Sequence, residues 1–136
     1  MTVNYWCVGA AYNGTDHQDM KWVSQGIWRL GWDYSGDHNA QDQINLTNQI
    51  KVGDRIAIKR MLGGNRIGIR VLHIGIVKGV LSDPENDKSP LFSVDWLITN
   101  LDRVLEGGSD KGNPQLIKSI HGPFPPSDWR NAVFSV

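Results

Sequence analysis

Lys51-Val52-Gly53-Asp54-Arg55-Ile56-Ala57-Ile58-Lys59-Arg60-Met61 is a tight turn running into an alternating strand. Ile56 and Ile58 fall on one side, with Arg55, Ala57 and Lys59 on the other, the period of two that a pleated strand imposes. Leu62-Gly63-Gly64-Asn65 reads as a hairpin turn, and the return alternates again. Ile67, Ile69 and Val71 are expected inside, with Arg66, Gly68 and Arg70 outside. Read this way, the hairpin stacks Arg55, Lys59, Arg66 and Arg70 on one outer face.

Outward from this hairpin the chain continues in short strands. Residues 74–80 form one, in which Gly75 and Gly79 suggest a bulge or bend. After a polar loop at 82–89, residues 91–98 form another. Upstream, residues 4–10 read as a first strand that is aromatic and β-branched. A short helix follows through Met20, Trp22 and Val23, capped by Thr15 or Asp16 and stopped by Gly26. Residues 40–50 suggest a second helix with Ile44, Leu46 and Ile50 turned inward. Residues 106–112 are a glycine-rich loop, and Leu116, Ile117 and Ile120 a short helical turn. Ser127 caps a terminal helix over 128–134. The expected class is α+β: a PUA-like, small curved β-barrel of about five or six strands flanked by short helices.

The chain has 136 residues, the size of one domain, here taken as 1–136. Fourteen basic and fourteen acidic residues balance, which excludes a global polyanion-binding charge. The single cysteine, Cys7, excludes an internal disulfide framework and fits a reducing cytoplasm. No signal-like segment and no membrane-length apolar run is present. The four histidines are scattered without metal-ligand spacing, and no nucleophile–base arrangement stands out, so no metal, cofactor or enzymatic activity is expected.

Six tryptophans are many for so short a chain, and Ser24 to Tyr34 crowds Trp28, Trp32 and Tyr34 beside two glycines. Three motifs, in order, resemble the PUA-like superfamily nearest its EVE and YTH families. They are Tyr5-Trp6 opening the first strand, Lys51-Val52-Gly53-Asp54 before the alternating strand, and Gly26-Ile27-Trp28 followed by Phe92-Ser93-Val94-Asp95-Trp96. The resemblance extends to N-terminal domains of McrB-like restriction proteins. It implies a reader that flips a modified, methylated base into an aromatic cage walled by Trp28, with Asp95-Trp96 as the later strand pair. Arg29 stands where YTH domains commonly carry serine or alanine. The loop at 81–91 has no aromatic to serve as the second wall, which leaves Trp32, Tyr34, Trp22 or Tyr12 for it, or a pocket of different shape. Asn13, Ser24, Asp95 and Asn39 are the polar candidates.

Aromatic stacking returns about 1–3 kcal/mol per base, and extrusion from a duplex costs a few, so two walls offset it while one is marginal. Core packing is the expected role of Trp6 and Trp129. Trp22 fits core or cage, Trp96 core or pocket floor. Arg55, Lys59, Arg66 and Arg70, with Arg29, are the candidates for tracking phosphates. The resulting expectation is a non-enzymatic DNA reader of a modification-dependent restriction system, possessing a fused or associated NTPase or nuclease. Alternatives are a free-standing reader of modified RNA and an ASCH-like enzyme acting on RNA or nucleotides, which would need a general base in the pocket.

Overall fold

The computed structural model describes residues 2–12, 16–30, 38–108, 113, 114, 116 and 118–136, with backbone alone at 12 and 38–40. In chain order the elements are β1 (Tyr5–Val8), β2 (Ala11–Tyr12), β3 (Asp16–His17), α1 (Asp19–Gln25), β4 (Ile27–Arg29) and α2 (His38–Thr47). There follow β5 (Arg55–Met61), β6 (Gly68–Asp83), β7 (Asn86–Ile98), β8 (Arg103–Glu106), β9 (Ile120–His121) and α3 (Asp128–Phe134). The class is α+β. Strands run in the order β4-β7-β6-β5-β1-β9, with β8 beside β6 and a separate β2–β3 pair. Among the described residues no ladder joins β4 to β9, so the sheet is mostly open. No helix among them is long and apolar enough to cross a membrane.

The Lys51–Asp54 turn fixes the centre of this sheet. β1 and β5 pair in parallel, Tyr5 opposite Arg55 through Val8 opposite Ile58. Asp54 is buried at their common start and accepts from the Asn4 amide at 3.1 Å, the Lys51 amide at 2.9 Å and Trp6 Nε1 at 3.0 Å. Three donors on one carboxylate explain why Tyr5-Trp6 and the Gly-Asp turn occur together: the aspartate clamps the two strand starts.

β6 is one continuous strand of sixteen residues, which joins the two strands expected at 66–71 and 74–80. Its register against β7 shifts between Ile74 and Gly75 and between Val77 and Gly79, as the glycines suggested. At Gly75 a Cβ would lie 2.7 Å from the Asp95 carbonyl oxygen and 2.9 Å from the Trp96 ring, so only glycine permits this close approach. The polar loop expected at 82–89 is shorter, since β7 already begins at Asn86. β8 was not expected and ends where the expected 106–112 loop begins, and Ile120 belongs to β9 rather than a helical turn. The terminal helix stands as expected, with Ser127 Oγ accepting from the Arg130 amide at 3.0 Å.

The sheet is covered on both faces. Trp6, Val8, Trp28, Ile56, Ile58, Val77 and Phe92 belong to one core. Cys7, Ala57, Ile69, Val71, Leu116 and Val133 form a second, ringed by Leu101, Phe124 and Trp129. The expected outer face of the hairpin is therefore not a solvated face. Its alternation is real, but on β5 the side assigned to water, Ala57 and Lys59, lies with Ile69 and Val71 of β6, which were expected on the inner side, against a second apolar layer.

Candidate functional site

A cleft of about 340 Å³ opens where β1 ends and β5 approaches its hairpin. Gly9, Trp22, Leu30, Met61 and Leu72 supply much of its neutral lining, and Lys59, Arg60, Lys118 and Asp19 its charged groups. Leu72 is the residue that β6 inserts between two register pairs, Ile58 with His73 and Lys59 with Val71. That bulge gives the cleft an aliphatic wall.

Lys59 is the chemical centre. It is 7% exposed, and its ammonium donates to the main-chain oxygens of Leu116 at 2.8 Å and Lys118 at 2.7 Å. Burial pushes its pKa down to about 8, opposed by the neighbouring Cys7. The same burial drives the Cys7 thiol up to about 12, with Lys59 pulling the other way. Beside them His121 accepts from the Lys118 amide at Nε2, 2.9 Å away. Burial first, then the charges of Lys59 and Lys118, lower its pKa to about 4, so the ring is neutral at pH 7 with its proton on Nδ1.

Asp19, the first residue of α1, bounds the cleft on the other side. His73 Nε2 lies 2.7 Å from Asp19 Oδ2, and Arg60 Nη2 donates to Oδ1 at 3.3 Å. The Asn100 amide donates to His73 Nδ1 at 3.2 Å, which leaves Nε2 to carry the proton toward Asp19. The buried histidine thus orients a carboxylate at the cleft wall.

The expected cage does not form around Trp28. That ring is fully buried, packs on Phe92 with centroids 5.8 Å apart, and donates through Nε1 to the Gly9 carbonyl at 2.9 Å. Pairing of Trp28 with Phe92 across β4 and β7 puts it inside the first core, where its indole braces the strand that borders the cleft. Trp22 is 3% exposed and serves both roles, as a core member whose surface also lines the cleft. Trp6 is core, as expected, and Trp129 packs on Phe124 at the margin of the second core. Trp96 is half-buried over His73, with ring centroids 6.3 Å apart, and is not among the cleft residues. Asp95 is exposed on β7, and Ser24 is exposed with its hydroxyl donating to the Lys21 carbonyl; neither borders the cleft. Asn13, Trp32 and Tyr34, and the side chains of Tyr12 and Asn39, lie outside the described residues.

The four-cation face is also corrected. Met61 pairs with Ile69, and Lys59 with Val71, so Lys59 shares its side with apolar residues. Arg70 lies opposite Arg60 instead. The hairpin loop sets this register, and a one-residue change of register exchanges the faces. Arg70 pairs with Asp102 and Arg66 with Glu106. Arg29, nearly buried, pairs with Asp83 and Glu85, and Arg55 donates to the Gly53 carbonyl. Of the five, Lys59 alone reaches the cleft. Asp19, Leu72, Lys118 and the helper His73 were missed from sequence. Ile56-Ala57-Ile58 was a usable signal, because three consecutive apolar residues mark a strand covered on both sides and so place Lys59 indoors.

No protein-family model and no curated protein matches the chain. Solved structures do. The NMR structure of Rpa0253 from Rhodopseudomonas palustris matches 96% of this chain and 91% of its own, at 16% identity and a TM-score of 0.50. At that identity the likeness is one of fold. The shared fold therefore spans nearly the whole chain, and the chemistry of the cleft has to be read from its own residues.

Proposed function

We propose that this chain is a PUA-like reader domain, of the EVE and YTH kind, that takes one modified base of a nucleic acid into the Lys59 cleft without catalysing a reaction. The observation that carries the reading is the cleft itself: about 340 Å³, with the Trp22 indole and the aliphatic side chains of Leu30, Ile58 and Leu72 among its lining, beside an excess of cations over acids. That volume lies at the lower end of the roughly 300–1,000 Å³ typical of small-ligand sites, a scale suited to one heterocycle. Lys118 is exposed at the cleft and suits a flanking phosphate. The barrel-like closure of the PUA-like fold belongs to the same proposal, as does DNA over RNA and a partner NTPase or nuclease.

Trp22 is nearly covered and offers little ring face, so stacking on it alone does not offset extrusion from a duplex. Single-stranded or already unpaired bases are the better ligands. The test is amide chemical-shift mapping with short DNA and RNA strands carrying one methylated base. Shifts centred on Gly9, Ala10, Met61 and Ser119, with Val80 and Leu81 at the far hairpin tip unmoved, support the reading. Absence of binding by every strand overturns it.

One observation favours a second reading. Asp19 faces the cleft with His73 and Arg60 on its oxygens, an arrangement that an ASCH-like enzyme would use to position a proton acceptor. Turnover of RNA or nucleotides that disappears in Asp19→Asn would establish it.

A further inference from the structure

Lys59 is nearly buried and yet forms part of the cleft wall, beside Gly9, Arg60 and Lys118. Its nitrogen is held by two main-chain acceptors, the carbonyl of Leu116 at 2.8 Å and that of Lys118 at 2.7 Å. An ammonium has three N–H donors, and the neutral amine has two donors and a lone pair. Loss of one proton therefore still satisfies both carbonyls, and it leaves a lone pair on a nitrogen anchored at the cleft. Burial favours that loss and sets the pKa near 8, so about a tenth of the group is already neutral at pH 7.

The surrounding charges suit an anionic guest. Cys7 on β1 stays a protonated thiol, and the His121 ring on β9 is kept neutral by burial and by the charges of Lys59 and Lys118. Arg60 and the exposed Lys118 line the cleft, together with His17 on β3 and Asp19 on α1. Asp19 already pairs with His73 and Arg60. A carboxylate or phosphate entering the cleft meets cations on the same side as the Lys59 nitrogen.

We propose that Lys59 forms a reversible imine with a small aldehyde that carries a carboxylate or phosphate group, the anion being held by Lys118 and Arg60. The amine lone pair attacks the carbonyl carbon and forms the C–N bond. The carbonyl π pair moves to oxygen, which takes up one proton from nitrogen. The resulting carbinolamine expels its hydroxyl, which leaves as water with the second nitrogen proton, and C=N remains. Amine and aldehyde thus give imine and water, with nothing oxidised or reduced. The imine nitrogen keeps at most one N–H, so at least one of the Leu116 and Lys118 carbonyls loses its partner, and that cost keeps the adduct reversible. This chemistry goes beyond the reader function and does not rest on it.

The test incubates the full chain with glyoxylate, traps imines with cyanoborohydride and maps the modified lysines by mass spectrometry. At pH 7 Lys59 is expected to carry about 10- to 100-fold more adduct than the exposed Lys51 and Lys78, because far more of it is neutral. The ratio of Lys59 to Lys51 adduct should fall at least tenfold, to order of magnitude, between pH 7 and 10, as the exposed amine deprotonates too. Lys118→Met leaves the main-chain carbonyl in place and is expected to reduce glyoxylate trapping at Lys59 about two- to fivefold, the scale of an exposed charge, without changing trapping of acetaldehyde. Adducts on the exposed lysines with Lys59 unmodified, or a ratio that stays constant with pH, overturn the imine. Equal loss of glyoxylate and acetaldehyde trapping in Lys118→Met overturns the anionic class of guest. None of these results bears on the reader function, which the methylated strands test separately.

Discussion

Raising the pH from 7 to 9 should stabilise this protein, and Lys59 should be the cause. Its pKa is about 8 folded against 10.5 as a free side chain. Between those values the unfolded chain holds the proton more firmly than the folded one, so unfolding free energy rises with pH. Below pH 8 the buried charge costs about 3 kcal/mol, from 1.36 kcal/mol per pKa unit, and on the order of 1 kcal/mol of that is recovered from pH 7 to 9. His121 adds little over this window, because its ring is neutral in the folded state and mostly neutral in the unfolded one there. Cys7 acts in the opposite direction higher up. Its thiol ionises near 9.0 unfolded but near 12 in the core, so it withdraws stability as pH climbs beyond 9. The two slopes oppose each other between pH 9 and 10.5, and stability should level there before falling. Urea unfolding of wild type and Lys59→Met at half-unit intervals measures this. Lys59→Met also strands the Leu116 and Lys118 carbonyls, which lowers its stability at every pH, so the slope rather than the offset is the signal. A wild-type minus variant difference that stays flat from pH 7 to 9 would refute the buried, water-poor floor.

Trp28→Ala should destabilise the fold by about 3–5 kcal/mol in the same urea assay, as expected for deletion of a fully buried indole; a loss below 1 kcal/mol, on the order of a surface change, would return that ring to the binding site. Asp54→Ala should cost on the order of 3 kcal/mol or more, because three donors lose their acceptor together. A thermal midpoint within a few degrees of wild type would contradict the clamp between β1 and β5. Arg66→Ala breaks an exposed pair with Glu106 worth less than about 1 kcal/mol, and the salt dependence of oligonucleotide binding should not change; a shallower slope would restore this arginine to the phosphate-binding surface.

The sequence revealed the fold best where a single local rule acts. The period-two pattern located β5 to the residue, Ser127 marked α3, and the glycines at 75 and 79 marked bulges. Each signal is read by the backbone within a few residues of itself. β8 and β9 escaped because short strands owe their existence to a distant partner: β8 to the start of β6, β9 to β1. No propensity within four or two residues announces such a pairing.

The site was harder for a related reason. Lys59 is one residue, and its meaning depends on two facts that lie elsewhere in the chain. Segments more than fifty residues away, ending in Leu116 and α3, decide that its side of β5 faces a core and not water. The hairpin loop decides that Val71, not Arg70, lies across from it. An isolated strand with Arg55, Ala57 and Lys59 on one side satisfies the pattern of a wet face, and only the covering layer reverses its sign. Trp28 was misjudged in the mirror-image way. A tryptophan after glycine in a short strand suits a cage or a core equally, and its pairing with Phe92 settles which. Burial of the indole leaves the cleft without a broad aromatic wall among the described residues, and its charged groups are Lys59, Arg60, Lys118 and Asp19. The side chain that looked like a phosphate contact on a wet face is thus a buried cation at the floor of the cleft.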